Sequence, residues 1–176
     1  MKEILKKIGI IDALTIQLEL DRNEFLKKLS DHTEESNLGF GSSFFEVFSS
    51  NKKEFKGSIG INDFKIRKRR KFFDRSSGLA IATGKIHQKE NTTIVETEIS
   101  SFKNNMYFFL GFLILIYIVV ITSIIFNSDD NLPVFIIPFI LLHGLLMFGI
   151  PIFMLRKSTA RLKKELEKDF YFIVKK

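Results

Sequence analysis

The chain has 176 residues, a formal net charge of +7 and 45% hydrophobic residues, and it contains no cysteine. The absence of cysteine excludes disulfides, thiolate metal ligands and cysteine nucleophiles. The hydrophobic residues concentrate after Phe102, and this uneven distribution predicts a polar domain followed by a membrane part.

The polar part carries the patterns of an α+β domain. The segment "LTIQLEL" at 14–20 alternates apolar and polar residues, which is typical of a half-buried strand. Asp21 and Glu24 then have the spacing of a capping box at the start of a helix. The segment 33–43 is rich in glycine and serine and is predicted to be a loop.

From Phe55 onward, four short alternating segments are separated by polar turns. This succession indicates an antiparallel meander. We therefore predict that residues 1–103 form a cytoplasmic α+β domain with a small antiparallel sheet and one or two helices.

Two long apolar segments follow, at 106–126 and 132–155, and neither contains Asp, Glu, Lys or Arg. At a rise of about 1.5 Å per residue, each is long enough to cross a hydrocarbon layer of about 30 Å. They predict a transmembrane helical hairpin within 104–157. The N-terminus lacks the apolar core of a cleavable signal, so the first span is expected to direct insertion.

The charges near the spans predict their orientation. The connecting segment 127–131 has two acids and no cation, whereas Arg156 and Lys157 directly follow the second span. Because Lys and Arg accumulate on the cytoplasmic side, both termini are expected in the cytoplasm.

An amphipathic tail helix is predicted at 158–176. One face carries an apolar stripe of four residues, Leu162, Leu166, Phe170 and Ile173, at helical spacing. The sequence suggests no intramolecular partner for this stripe, and this favours contact with a protein partner or a second copy.

A basic run, "FKIRKRRKFFDR" at 64–75, is the most unusual polar feature. Its seven cations are Lys65, Arg67, Lys68, Arg69, Arg70, Lys71 and Arg75. We predict the exposed end of a strand that begins at Phe64, facing solvent, a protein partner or an anionic inner leaflet. Each cation near such a leaflet contributes about 1 kcal/mol. Binding of nucleic acid needs stacking aromatic residues interleaved with the cations. Phe72 and Phe73 adjoin the run, but tryptophan is absent, so nucleic acid is disfavoured.

His143 lies in the middle of the second span, where an ionisable side chain is costly and is a functional candidate. Tyr117 has a similar depth in the first span, so we predict a hydrogen bond between them that either fixes the hairpin or belongs to a proton or ion relay. Gly111 and Gly149 also share a depth and predict close packing of the spans. Gly111 and Tyr117 are about 120° apart around a helix, so one contact cannot centre on both pairs. One pair is therefore expected to serve an oligomer contact instead.

No motif of catalysis is present. The sequence has no phosphate-binding glycine loop, nucleophile elbow, HExxH motif or paired-carboxylate motif. We expect no enzymatic activity, no cofactor and no metal.

Four short patterns carry a family resemblance: F-x-G-x-I at 55–59, F-K-I-x-K at 64–68, G-K-I at 84–86 and "NTTIVETEI" at 91–99. Followed by two spans, they resemble uncharacterised small bacterial membrane proteins with a cytoplasmic α+β domain. The resemblance implies this layout and a bacterial inner-membrane location, without an activity. A bacterial pleckstrin-homology-like domain is more distantly similar, and the strand–helix unit at 14–32 departs from it.

These patterns support two functional hypotheses. The first is a non-enzymatic, membrane-tethered interaction or adaptor subunit, whose domain faces the anionic inner leaflet or a protein partner, or which associates with itself. The alternative is an oligomeric channel or transport component whose spans line a path around His143.

Overall fold

A six-stranded sheet is the centre of the computed structural model, which describes residues 2–36, 38, 53–69, 79–102, 104–127 and 136–175. The chain forms two compact units. Met1–Ser101 and Met154–Lys176 form the first, here called the sheet domain, and Phe102–Phe153 form the second, the apolar unit.

The sheet domain begins with helix α1, strand β1 and helix α2, at Lys2–Lys7, Ile11–Leu18 and Arg22–His32. The remaining strands are β2 (Thr33–Glu35), β3 (Phe55–Ile59), β4 (Asp63–Lys68), β5 (Ile81–Lys89) and β6 (Thr92–Ser100). Two long helices follow, α3 at Asn104–Asn127 and α4 at Ile136–Lys175.

The strands are ordered β1-β6-β5-β4-β3-β2. The predicted meander is present, because β3, β4, β5 and β6 pair antiparallel in sequence order. The prediction of a wholly antiparallel sheet is wrong, since β2 pairs parallel with β3, Thr33 opposite Phe55. Strand β2 lies in the segment predicted as a loop, and its three residues are too few for an alternating pattern.

Helix α2 begins as the sequence predicts. The Asp21 carboxylate accepts a hydrogen bond of 2.8 Å from the backbone N–H of Asn23, which satisfies one of the free donors of the first turn. Glu24 instead forms an ion pair with Lys28, at 3.2 Å. Phe25 and Leu29 are fully buried, so one face of α2 packs onto the sheet.

One face of the sheet carries the hydrophobic core, and the opposite face is called here the outer face. The core face alternates along each strand, with Leu14, Ile16 and Leu18 of β1 buried and Thr15 and Gln17 exposed. Helix α2 and the C-terminal part of α4 cover it. The α4 residues of the core are Leu162, Leu166 and Phe170.

Buried hydroxyl groups also join α4 to the sheet domain. The Ser158 hydroxyl accepts a hydrogen bond of 3.1 Å from the Ala80 backbone N–H. The Thr159 hydroxyl donates to the Ile10 carbonyl, at 2.8 Å, and lies 2.8 Å from the Ser101 hydroxyl. Since unpaired buried polar groups are costly, these contacts specify where α4 meets the domain.

In the apolar unit, α3 and the first part of α4 are long and apolar enough to cross a membrane. The tail helix is continuous with the second apolar segment, because α4 runs for 40 residues with Pro151 inside it. In the apolar unit its partly covered positions recur every three or four residues: Ile136, Ile140, Gly144, Phe148 and Pro151.

Candidate functional site

The basic run leaves strand β4 and is only partly exposed. Lys65 is exposed on the outer face, but Arg67 is fully buried. The side chains of Lys68 and Arg69 are 22% and 12% exposed. The prediction of an exposed strand end is therefore wrong for three of the seven cations. Arg70, Lys71 and Arg75 lie outside the described residues.

Lys68 points toward α4. Its ammonium lies 3.2 Å from Asp169 and 3.4 Å from Glu165, and 5.9 Å from the centre of the Phe55 ring. Burial acts to lower the pKa of Lys68, but attraction by Asp169 and Glu165, together with hydrogen bonds to both, outweighs it and raises the pKa above the ordinary 10.5. This cation therefore holds α4 against the sheet.

Arg69 is held on β2. Its guanidinium donates to the Glu34 carboxylate, at 3.2 Å, and the Lys56 ammonium lies 3.7 Å from the same carboxylate. Lys56 is itself buried. Within the described part of the run, Lys65 alone is an exposed cation, so these residues do not form a continuous basic surface.

The apolar stripe of the tail helix packs within its own chain. Leu162 is 5% exposed, and Leu166 and Phe170 are fully buried. The Phe170 ring meets the Phe25 and Phe64 rings edge to face, with centroids 5.5 and 5.9 Å apart. The expectation that the stripe lacks an intramolecular partner is wrong. The side chain of Ile173 lies outside the described residues.

Tyr117 and His143 are brought together as the sequence predicts. The Tyr117 hydroxyl lies 2.6 Å from Nδ1 of His143. The tyrosine ring also lies 5.9 Å from the Phe148 ring, between centroids. A Cβ atom on Gly144 would lie 3.5 Å from the tyrosine ring, so this glycine lets the ring sit close to α4.

Gly111 and Gly149 are not part of that contact. A Cβ atom on either would have no neighbouring heavy atom within 4 Å. They do not pack the two helices together within one chain, and a contact between copies at these glycines stays a prediction. Gly144 has this role, and its position directly after His143 is the signal that could have identified it.

The outer face of β1, β6 and β5 carries an open cavity of about 550 Å³ that the sequence analysis did not identify. Two rows of facing residues cross it. One row is Thr15, Glu96 and Lys85, and the other is Ala13, Glu98 and Thr83. The Lys2 ammonium forms an ion pair with Glu98, at 2.8 Å. The sequence signal for this cavity is the alternation of polar residues along β1, β5 and β6, which are adjacent in the sheet.

This cavity presents both cations and carboxylates, from Lys2, Lys85, Glu96 and Glu98. Among the residues that the structure describes, no group of three or more His, Asp or Glu side chains could hold a metal ion. No protein-family model matches this chain, and no curated protein is significantly similar to it.

Proposed function

We propose that this protein is a non-enzymatic membrane protein, in which α3 and the apolar part of α4 anchor the sheet domain to a bilayer. The observation that carries the proposal is the uncovered apolar surface of both helices. Phe108 and Phe126 are 81% exposed, and Leu141 and Leu145 are 69% and 70% exposed. Such a contiguous apolar surface is unfavourable in water and marks a membrane or protein contact.

The length and composition of the helices favour the membrane. The 24 residues of α3 extend over about 36 Å, and the hydrocarbon layer is about 30 Å thick. The backbone groups within each helix satisfy one another, which a lipid environment requires. The distribution of Lys and Arg supports an orientation with both termini in the cytoplasm. That the membrane is a bacterial inner membrane is proposed from the sequence resemblance alone.

For the sheet domain we propose an adaptor role, with the outer face binding a polar segment of a protein partner. The cavity there presents cations and carboxylates side by side, with Lys85 opposite Glu96. The carboxylates of Glu96 and Glu98 would repel the phosphates of a nucleic acid or an anionic leaflet. The tail stripe and the described cations at the end of β4 already have partners within the sheet domain. The outer face is therefore the better binding surface.

The contacts of the polar side chains favour an anchor over a transport path. Tyr117 and His143 bond to each other, and the Thr122 hydroxyl donates to the Ile118 carbonyl of its own helix. A proton or ion relay needs a series of polar groups across the bilayer. In the described parts of α3 and α4, the side chains of Tyr117, His143 and Thr122 instead form the short-range hydrogen bonds given above.

The arrangement in the membrane can be tested with single cysteines, since the chain contains none. Ser58→Cys places a thiol on the exposed outer face of β3, and Ser128→Cys places one between the spans. In intact cells, a membrane-impermeant maleimide should label Ser128→Cys alone, and Ser58→Cys only after permeabilisation. Equal labelling of both before permeabilisation would contradict the proposal.

The partner role has its own test. A photo-crosslinking amino acid at Thr83, in the outer-face cavity, should give a discrete protein adduct in cells. The same group at Ile61, which is 79% exposed in the turn before β4, is the control. No adduct at Thr83, or the same adducts at both positions, would contradict a binding role for the outer face.

A further inference from the structure

Tyr117 and His143 form a hydrogen-bonded pair that leaves one donor and one acceptor unused. Neutral histidine has one N–H donor and one acceptor nitrogen, and tyrosine adds one O–H donor and an acceptor oxygen. If Tyr117 donates to Nδ1, the Nε2–H of His143 and a lone pair on the tyrosine oxygen remain. If Nδ1–H donates instead, the tyrosine O–H and the Nε2 lone pair remain. The count is the same for either tautomer.

The surroundings of the pair are apolar. The imidazole stacks on the Phe139 ring, with centroids 6.4 Å apart, and the tyrosine ring contacts Phe148. In the described part of the chain, the single hydrogen bond shown for this imidazole is the one through Nδ1. His143 is also exposed on the surface of α4, so its side chain can be reached from outside the chain.

This situation is costly inside a bilayer, where no water can satisfy the remaining donor. His143 is 12 residues before Leu155, the end of the second apolar segment, which corresponds to about 18 Å of helix α4. That depth is close to the middle of a hydrocarbon layer about 30 Å thick. A partner for the remaining donor must therefore come from another membrane-embedded protein segment.

We propose that the partner is a second copy of this chain, with the two Tyr117–His143 pairs meeting at a twofold axis along the membrane normal. Each pair supplies one donor and one acceptor, so two pairs are complementary to each other. Twofold symmetry places both at the same depth. The result is a closed ring of four hydrogen bonds, alternating histidine and tyrosine, and all its donors are satisfied. The inference rests on the proposed membrane anchoring.

Disulfide crosslinking tests the location of the contact. Met147→Cys lies one turn beyond His143 on the same face of α4 and is 42% exposed in the native residue. Leu145→Cys is the control, because it is two positions from His143 and so about 200° around the helix. In oxidised native membranes, Met147→Cys should form a disulfide-linked dimer and Leu145→Cys should not. Equal crosslinking at both positions, or none at Met147, would overturn the inference.

A second measurement tests the hydrogen bonds themselves. Tyr117→Phe removes the hydroxyl and keeps the ring that packs against Gly144 and Phe148. The substitution removes all four bonds of the ring, two of which join the copies. Interhelical hydrogen bonds in membranes are modest, so the loss of those two should weaken the dimer roughly tenfold, measured by energy transfer between labelled copies in vesicles. Tyr107→Phe, near the start of α3, is the matched control and should leave the dimer unchanged. A dimer insensitive to Tyr117→Phe would contradict the ring.

Extraction of the same membranes with alkaline carbonate separates the two possible failures. Recovery of the protein in the supernatant would contradict membrane anchoring, and the inference with it. Retention in the pellet without specific crosslinking at Met147→Cys would contradict the dimer contact alone.

Discussion

Lys68 on β4 and Asp169 on α4 form an ion pair of 3.2 Å between residues 101 positions apart in the sequence. The two apolar segments of the chain lie between them in sequence. The sheet domain is therefore completed only after both segments have been synthesised, and its last helix is held by charge as well as by apolar contacts.

Removal of this ion pair should destabilise the domain. Asp169→Asn leaves Lys68 with Glu165 alone, and we expect a loss of about 1–2 kcal/mol, less than for a fully buried pair because both side chains are partly exposed. The change can be measured by thermal unfolding of the full chain in detergent, with the susceptibility of the sheet domain to proteolysis as the readout. Glu167→Gln, at an exposed position of the same helix, should have little effect. Equal effects of the two substitutions would contradict a specific role for the pair.

The stability of the sheet domain should also fall at alkaline pH. The pKa of Lys68 is raised above 10.5 in the folded protein, so folding is favoured by its protonated form. The resulting stabilisation is fully present below the unfolded-state pKa near 10.5 and is lost as the pH rises through the higher folded-state value. Unfolding measured between about pH 9 and 12 should show this loss. Lys68→Met should be less stable at pH 9 and should show a shallower decline. Identical slopes for the two proteins would be inconsistent with this assignment.

Phe170 should be the most sensitive position of the tail helix. It is fully buried between Phe25 and Phe64, and Phe170→Ala should cost about 3–5 kcal/mol because it removes a large buried side chain and leaves a cavity. Phe172→Ala is a matched control on the same helix, since Phe172 is 55% exposed. Thermal unfolding should distinguish the two clearly. A Phe172→Ala protein as unstable as Phe170→Ala would place the core contact on the wrong face of α4.

Gly84 should not tolerate a side chain. It pairs with Phe64 across β4 and β5, and a Cβ atom there would clash with the Phe64 ring. Gly84→Ala should therefore destabilise the domain by about 1–3 kcal/mol, because the buried ring must shift. Thr83→Ala, the neighbouring residue on the outer face, should change stability much less. Equal unfolding temperatures for wild type and Gly84→Ala would show that the ring moves freely.

The sheet domain should fold without the apolar unit, provided that the end of α4 is supplied. A fragment that joins 1–101 to 154–176 through a flexible linker of about ten Gly and Ser residues contains every residue of the main core cluster. It should unfold cooperatively in circular dichroism. The fragment 1–103 lacks Leu162, Leu166 and Phe170 and should not. Cooperative unfolding of 1–103 would contradict the role of α4 in the core.

The sequence predicts local structure well where one pattern decides it. Alternation along Leu14, Ile16 and Leu18 predicts the buried face of β1, and Asp21 predicts the start of α2. Depth along two apolar segments predicts the contact between Tyr117 and His143. In each case the information lies within a few residues or in a simple count along the helix.

The sequence does not predict which surfaces cover one another. The sequence shows the apolar face of the tail helix. It does not show that Phe170 of this face packs against Phe25 and Phe64, which are more than 100 residues away. The segment 64–75 is strongly basic, yet its Lys68 and Arg69 form ion pairs with Asp169 and Glu34 on other elements. A charged run therefore predicts an exposed surface only when its carboxylate partners are known.

The central claim, that α3 and the first part of α4 lie in a bilayer, can be measured directly because the chain contains no tryptophan. Leu145→Trp places a single fluorophore at a 70% exposed position of the apolar part of α4, and Ile61→Trp places one in the sheet domain. In vesicles that contain lipids brominated near the middle of their chains, the account predicts blue-shifted emission and strong quenching for Leu145→Trp, and neither for Ile61→Trp. Emission from Leu145→Trp that is unquenched and resembles that of Ile61→Trp would contradict membrane insertion.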